Sequence, residues 1–445
     1  LKKIDAAIIG AGPAGMAAAV WLKEKGIDNF ILFERNNRLG GILNQCIHSG
    51  FGIDYYNEEL TGPQYAVRMQ QRLLDLNINY MLGANVIDLN RNKELTVSSS
   101  KNGIEVYKAG SVIITTGCRE RTRENLEIPG TRPAGVFTAG SAQELINILN
   151  YKIGNKVIIQ GSGDIGLIMA RRLSIEGYEV VKLFERLPYL SGLIRNKVQC
   201  LDDFNIPIQF NTQISGISGK DRVEGVYTKE SGKDKFYKCD TVLFSVGLIP
   251  EVEIGKKAGI ILSNNFNPDV NSKFETNIKG IFIAGNSLHI HDLADNASIE
   301  GEKVADYVFD YLDNEKKFRK NIENIAPYNS HEIDEKYNDD FFKNLKDGMV
   351  CIVCPKGCII NKNNFGCKRG EVFFKKEKMH KLRRLTTTVF CEYNGVIKRI
   401  PVISGEEINI KEISKIKEKL KNIKKIDSKS FSINHNKKEI VFYTV

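Results

Sequence analysis

The chain has no run of ~20 apolar residues, so no membrane-spanning helix is expected. It has no disulfide framework of the secreted kind either. Its nine cysteines are an odd number in 445 residues, whereas disulfide scaffolds are short and evenly counted. A general basic excess is also missing. The net charge is +10, but residues 348–445 carry 22 basic and 9 acidic side chains, which leaves 42 basic and 45 acidic ones in residues 1–347. The molecule as a whole is therefore not a polycation built to coat nucleic acid, and no nucleic-acid partner is expected. Apolar residues make up 42% and charged residues 27%, enough to bury a sizeable core and unlike a disordered chain. Lys2-Lys3 and the apolar stretch from Ala6 to Leu22 have the outline of a secretory leader. Gly10, Gly12, Pro13 and Gly15 interrupt that stretch and a polar segment follows it. We read it as part of the fold and expect a cytoplasmic location.

What is present is a repeated unit. Residues 4–9 read as a buried strand, followed by Gly10-Ala11-Gly12-Pro13-Ala14-Gly15, a helix to about residue 25, and a strand at 30–34 that ends in Glu34. Residues 156–160 read as a second strand, followed by Gly161-Ser162-Gly163-Asp164-Ile165-Gly166, a helix, and a strand that ends in Glu185. In both copies the acid lies 24 positions after the first glycine. A dinucleotide pyrophosphate needs close backbone amides and the positive end of a helix. The first glycine permits the tight turn, the second lets the backbone approach the phosphates, and the third lets helix and strand pack closely. Glu34 and Glu185 are placed to accept from a ribose 2′-hydroxyl. Glu185 disfavours a 2′-phosphate, so NAD(H) is expected at the second turn, while the adjacent Arg186 leaves NADP(H) open. Two such sites in one chain suit a flavin, FAD, exchanging hydride with a nicotinamide. Further apolar segments end at Gly117, Gly247 and Gly285, the last followed by Asn286 and a helix over roughly 296–312.

These motifs resemble the pyridine nucleotide–disulfide oxidoreductases over residues 1–325. The resemblance implies that the first turn binds FAD and that the inserted second one binds NAD(P)H. It implies that Thr115-Thr116-Gly117 and Ser245-Val246-Gly247 precede the domain crossings, and that Gly285-Asn286 meets the flavin ribityl chain. Asn286 stands where that family has an acid, but an amide still hydrogen-bonds a hydroxyl. The family's redox cysteine pair is missing: Cys46, in Gly-Gly-Ile-Leu-Asn-Gln-Cys-Ile-His, has no neighbour in sequence. That stretch, Thr-Gly-Cys-Arg-Glu-Arg and Gly-Asn-Ser-Leu-His-Ile-His-Asp-Leu-Ala-Asp are similar to a subgroup often encoded beside FAD-dependent glycerol-3-phosphate dehydrogenases. Opine oxidase and hydrogen cyanide synthase subunits are similar as well. The resemblance implies such a dehydrogenase as redox partner, with an opine- or amine-oxidising subunit as the alternative. Cys46, His48, His289 and His291 are the catalytic candidates. A packed core cysteine and ordinary hydrogen-bonded histidines are the plain alternatives.

Cys351, Cys354, Cys358 and Cys367 fall within 17 residues, spaced C-x2-C-x3-C with eight residues before the fourth. Four thiolates from one tight loop suit a metal. Three close cysteines and one more distant is an iron–sulfur habit, and zinc more often takes two C-x2-C pairs. We expect a [4Fe-4S] cluster, with zinc in a partner-binding module as the alternative. Residues 348–445 resemble a small four-cysteine family found alone or fused to such flavoproteins. They are also similar to the iron–sulfur entry module of molybdopterin oxidoreductases, which selects Cys367 as fourth ligand; Cys391 is the rival. The expected fold is α/β: two Rossmann-like domains, the FAD domain (1–118 and 246–325) interrupted by the NAD(P) domain (119–245). A linker at 326–347 and a small α+β cysteine-rich domain at 348–445 follow. Ile413, Ile416, Leu420 and Ile423 lie at helical spacing among lysines, which predicts a surface helix packed on the small domain.

Overall fold

In the computed structural model the described residues are 1–230, 233–263, 267–317, 348–354, 356–379, 381–436 and 438–444. The expected linker at 326–347 lies outside them. The chain divides into two compact units. One comprises Leu1–Arg119 and Leu248–Glu332, the other Glu120–Gly247 and Ile333–Val445.

The first unit is built on a seven-stranded sheet. Its middle is parallel: Lys2–Ile9 lies between Phe30–Phe33 and Gly103–Ile114, with Ile8 opposite both Leu32 and Ile113. Ile281–Ile283 adds a further parallel strand against the end of Gly103–Ile114. Phe30–Phe33, Ile281–Ile283 and the C-terminal ends of the other two strands are apolar without alternation because both sheet faces are covered there. Helix Pro13–Glu24 buries alanines, Met16, Val20 and Leu22. Helix Ala294–Lys317 crosses it closely, since a side chain on Gly301 would strike the Ala14 carbonyl oxygen at 2.2 Å. Trp21 Nε1 donates to Asp306 Oδ1 across the crossing at 2.8 Å.

The second unit repeats the pattern in a five-stranded parallel sheet whose central strand, Lys156–Gln160, lies between Glu179–Phe184 and Thr241–Phe244. The same unit holds the C-terminal domain. There a hairpin pairs Met349 with Ile360, helix Lys368–Met379 follows, and a five-stranded sheet centres on Leu382–Tyr393 and Val396–Asn409. Helix Ile413–Lys421 lays Ile413, Ile416 and Leu420 into that domain's core. The expected helix is shorter than its lysine run, because the chain turns into strand Lys425–Ile426. Ile175 of the nucleotide fold joins the C-terminal core, and Val350 joins the core of the nucleotide fold. The two domains of this unit thus share apolar packing.

Candidate active site: two nucleotide turns, a histidine pair and a cysteine knuckle

Both glycine turns have one geometry. Gly10 and Gly161 sit at φ +105° and +103°, which glycine adopts without penalty. Their N–H groups donate to Phe33 O and Phe184 O at 2.8 and 2.7 Å, which ties each turn to the next strand. A side chain on Gly15 would meet the Gly10 carbonyl oxygen at 1.9 Å, and one on Gly166 would meet that of Gly161 at 2.5 Å. At Gly12 the added carbon would have no protein atom within 4 Å, and at Gly163 the nearest stands at 3.8 Å. The second glycine in each turn therefore borders open space while the third is locked. Neither following helix has a side-chain N-cap, so no side chain covers the positive end that a ligand's phosphate would meet.

The acids repeat as well. Buried Glu34 accepts from Ala11 N at 2.9 Å and from Asn36 N at 2.8 Å. Buried Glu185 accepts from Ser162 N at 2.9 Å and Leu187 N at 2.8 Å, and also from the hydroxyls of Ser162 and Ser191 at 2.7 and 3.0 Å. Each carboxylate is fixed beside its glycine turn, where a ribose edge would lie in a Rossmann fold. Thr115 Oγ1 donates to the Gly10 carbonyl at 2.8 Å. Gly117 and Gly247 both have positive φ, +75° and +103°, so the chain turns sharply at each apolar segment's end.

Gly285 has φ +68°, and its N–H donates to Glu300 Oε1 at 2.6 Å. Asn286 accepts from His291 N at 3.0 Å, and its amide donates to Cys118 Sγ at 3.6 Å, a contact that an ionised acid could not donate. The fold brings His289 and His291 together, with ring centroids 4.2 Å apart. Glu300, which sequence reasoning passed over, faces both: His289 Nε2 lies 3.5 Å from Oε2 and His291 Nε2 lies 3.4 Å from Oε1. Burial, with the charge of His291 adding to it, holds His289 below the usual histidine range, although Glu300 pulls the other way.

Cys46 packs against Gly62, where a side chain would meet it at 2.9 Å. Burial pushes its thiol up to about 12, which removes the thiolate at neutral pH. His48 packs on Phe51, with Nδ1 3.0 Å from Ser49 O. Cys200 and Cys239 lie in separate hydrophobic cores.

In the C-terminal domain Cys351 N donates to Cys358 O at 2.8 Å, closing the knuckle. Burial raises the Cys351 thiol, and the charges of Cys354, Cys358 and Cys367 raise it further. Cys367 precedes helix Lys368–Met379 and accepts from Gly370 N at 3.4 Å. That N–H and the charges of Arg369 and Lys356 lower its thiol. Cys391 instead points into the core of the large sheet, among Val389, Ile400 and Ile413. Cys351 belongs to a different, smaller core with Ile360 and Phe374. Among the described residues the cysteine thiols form no trio within 4.8 Å of one another. A zinc ion at about 2.3 Å from each sulfur would hold them about 3.8 Å apart.

A family model described as pyridine nucleotide-disulphide oxidoreductase matches residues 4–301. The chain belongs to that family. Its members' two nucleotide folds account for both glycine turns, and a family of flavin-dependent oxidoreductases accounts for their pairing in one chain. The chain is 27% identical over 341 residues to an opine oxidase subunit of Rhizobium meliloti, covering 68% of this chain and 61% of that one. It is 23% identical over 335 residues to the hydrogen cyanide synthase subunit HcnB of Pseudomonas protegens, covering 68% of each. It is 26% identical over 304 residues to an alkyl hydroperoxide reductase subunit of Staphylococcus aureus, covering 63% of this chain and 53% of that one. The chain thus spans from about half to two thirds of these relatives' lengths. Thioredoxin reductases of T. acidophilum and Lactococcus lactis share the fold, with TM-scores of 0.58 and 0.59 at 23% and 22% identity. Each covers 70% of this chain and 99% of its own. No helix among the described residues is long and apolar enough to cross a membrane.

Proposed function

We propose that this family member is an FAD-dependent NAD(P)H oxidoreductase with an iron–sulfur outlet, working with a redox partner of the glycerol-3-phosphate dehydrogenase kind. Flavin, when bound, exchanges hydride with a nicotinamide and releases its electrons singly. The observation that carries the reading is the duplicated turn, in which open Gly12 and Gly163 each follow a residue, Ala11 or Ser162, whose N–H a fixed carboxylate accepts. Gly12, the amides of helix Pro13–Glu24 and Glu34 would hold FAD. Gly163, helix Asp164–Ile175 and Glu185 would hold the nicotinamide dinucleotide, with NAD favoured by Glu185. Asn286 would meet the ribityl chain. The half-buried Cys46, whose thiol is pushed up to about 12, and the placing of Cys200 and Cys239 in separate cores speak against a dithiol relay. Cys351, Cys354, Cys358 and Cys367 would hold a [4Fe-4S] cluster, whose corners suit thiols spread wider than zinc requires. The opine oxidase and hydrogen cyanide synthase relatives favour a second reading, an amine-oxidising subunit.

The test is metal and flavin analysis of anaerobically purified protein, followed by NADH titration. Flavin and iron with bleaching by NADH are expected. Four-cysteine zinc without iron would end the relay, and no bleaching even with the dehydrogenase present would end the hydride reading. Bleaching by an opine or amine without nicotinamide would favour the second reading.

A further inference from the structure

We infer that His289, His291 and Glu300 form a binding site for a single divalent transition-metal ion, separate from the cysteine knuckle. Their ligand atoms all lie within 4.8 Å of one another, and among the described residues no other group of three or more such donors does. The two histidine nitrogens stand 3.5 and 3.4 Å from the two oxygens of one carboxylate. An ion held at about 2.0–2.2 Å by nitrogen and oxygen separates neighbouring ligands by about 3.0–3.5 Å, so the side chains stand at coordination spacing before any ion enters. Ordinary hydrogen bonding does not account for the His291 ring. His291 Nε2 is buried without a hydrogen-bond partner, and such an atom calls for an explanation.

The supporting contacts suit a metal site. The Gly285 N–H fixes Glu300 Oε1 at 2.6 Å, and Asn286 Oδ1 anchors the backbone of His291 at 3.0 Å. Outer contacts of this kind orient metal ligands. Glu300 is 5% exposed, and a divalent ion would neutralise a carboxylate that the interior otherwise disfavours. Two imidazoles and a carboxylate select zinc or ferrous iron over magnesium or calcium, and three protein ligands leave positions open for water or a small ligand. The inference rests on these side chains and does not need the flavin reading.

Cobalt(II) is the probe, added anaerobically to the full-length, metal-stripped chain. Knuckle cysteines give cobalt intense thiolate charge-transfer bands, whereas a two-histidine, one-carboxylate site gives only weak d–d bands. One equivalent of cobalt with weak d–d bands is expected, whatever thiolate bands the knuckle adds. His291→Ala and Glu300→Gln should each remove one equivalent together with the weak bands, leaving the thiolate bands intact. Cobalt bound to the wild-type chain solely with thiolate bands would overturn the inference, whatever the variants do. So would a folded His291→Ala protein with unchanged stoichiometry and spectrum.

Discussion

Replacing Glu176 with Gln should destabilise the second unit severely. Glu176 closes helix Asp164–Ile175, and its carboxylate, 10% exposed, is the shared anion of three cations. Arg172 Nη1 lies at 2.5 Å, Lys417 Nζ at 2.6 Å and Arg399 Nη1 at 3.6 Å. Arg172 belongs to the nucleotide fold, and Lys417 and Arg399 to the C-terminal domain. Hydroxyls of Thr387 and Thr388 and the amide of Asn147 complete the shell. Burial alone would raise the Glu176 carboxyl, but the charges of Arg172, Lys417 and Arg399 outweigh it and hold the group at about 2. Against the usual 4.5, that is on the order of 3 kcal/mol of preference for the ionised form. Breaking a buried ion pair from one side costs about 3–5 kcal/mol, because the remaining charges stay buried. Both routes therefore agree. For a unit of this size 1 kcal/mol shifts Tm by about 2–4 °C, so Glu176→Gln should lower the unit's calorimetric transition by roughly 6–20 °C. The sign with pH follows. A carboxyl lowered on folding stabilises above 4.5, and its contribution is lost as pH falls from 4.5 towards 2. Burial, with the charge of Arg172 adding to it, pushes Lys417 down to about 7, so the gap between wild type and variant should be full near pH 5–6, where Lys417 is still charged, and close in that acid window. Glu179→Gln serves as control, since its pair with Lys156 is more than half exposed and such pairs contribute at most about 1 kcal/mol. A Glu176→Gln shift no larger than the control's would refute the reasoning.

The two glycines of the first turn should fail differently. Gly15→Ala should prevent the turn from closing and give a chain that unfolds early in a thermal scan. Gly12→Ala should fold with a near-normal scan but retain at least tenfold less flavin by absorbance, because its methyl enters only the open space. Cys46→Ala should leave flavin content and NADH bleaching near wild type, and the native Cys46 thiol should resist iodoacetamide at pH 7 while reacting in denaturant; rapid native alkylation would contradict the packing. Cys367→Ser should lose iron in elemental analysis whereas Cys391→Ala keeps it, and the reverse pattern would make Cys391 the fourth ligand.

The turns were legible because glycine spacing and a terminal acid are local, and steric need writes itself into such short stretches. The docking of the two domains was far less so, though it left a trace. Lys417 stood among the seven lysines of residues 411–425 and passed for one more solvated charge. Its spacing says otherwise: it lies four residues after Ile413 and three before Leu420, on the helix's apolar stripe. A lysine there must either snorkel or find an anion. The anion, Glu176, is over 200 residues away on another fold, beside a Gly177 that reads simply as a helix stop. Nothing local pairs the two, because complementarity between distant surfaces has no period. The same reason hid Glu300. His289 and His291 drew notice as a close pair, but the carboxylate between them comes from the second turn of a polar helix. Only the close crossing of that helix with Pro13–Glu24, at Gly301 and Ala14, seats it against Gly285. Charged residues on predicted apolar stripes are therefore the places in this sequence where long-range contacts leave a readable mark.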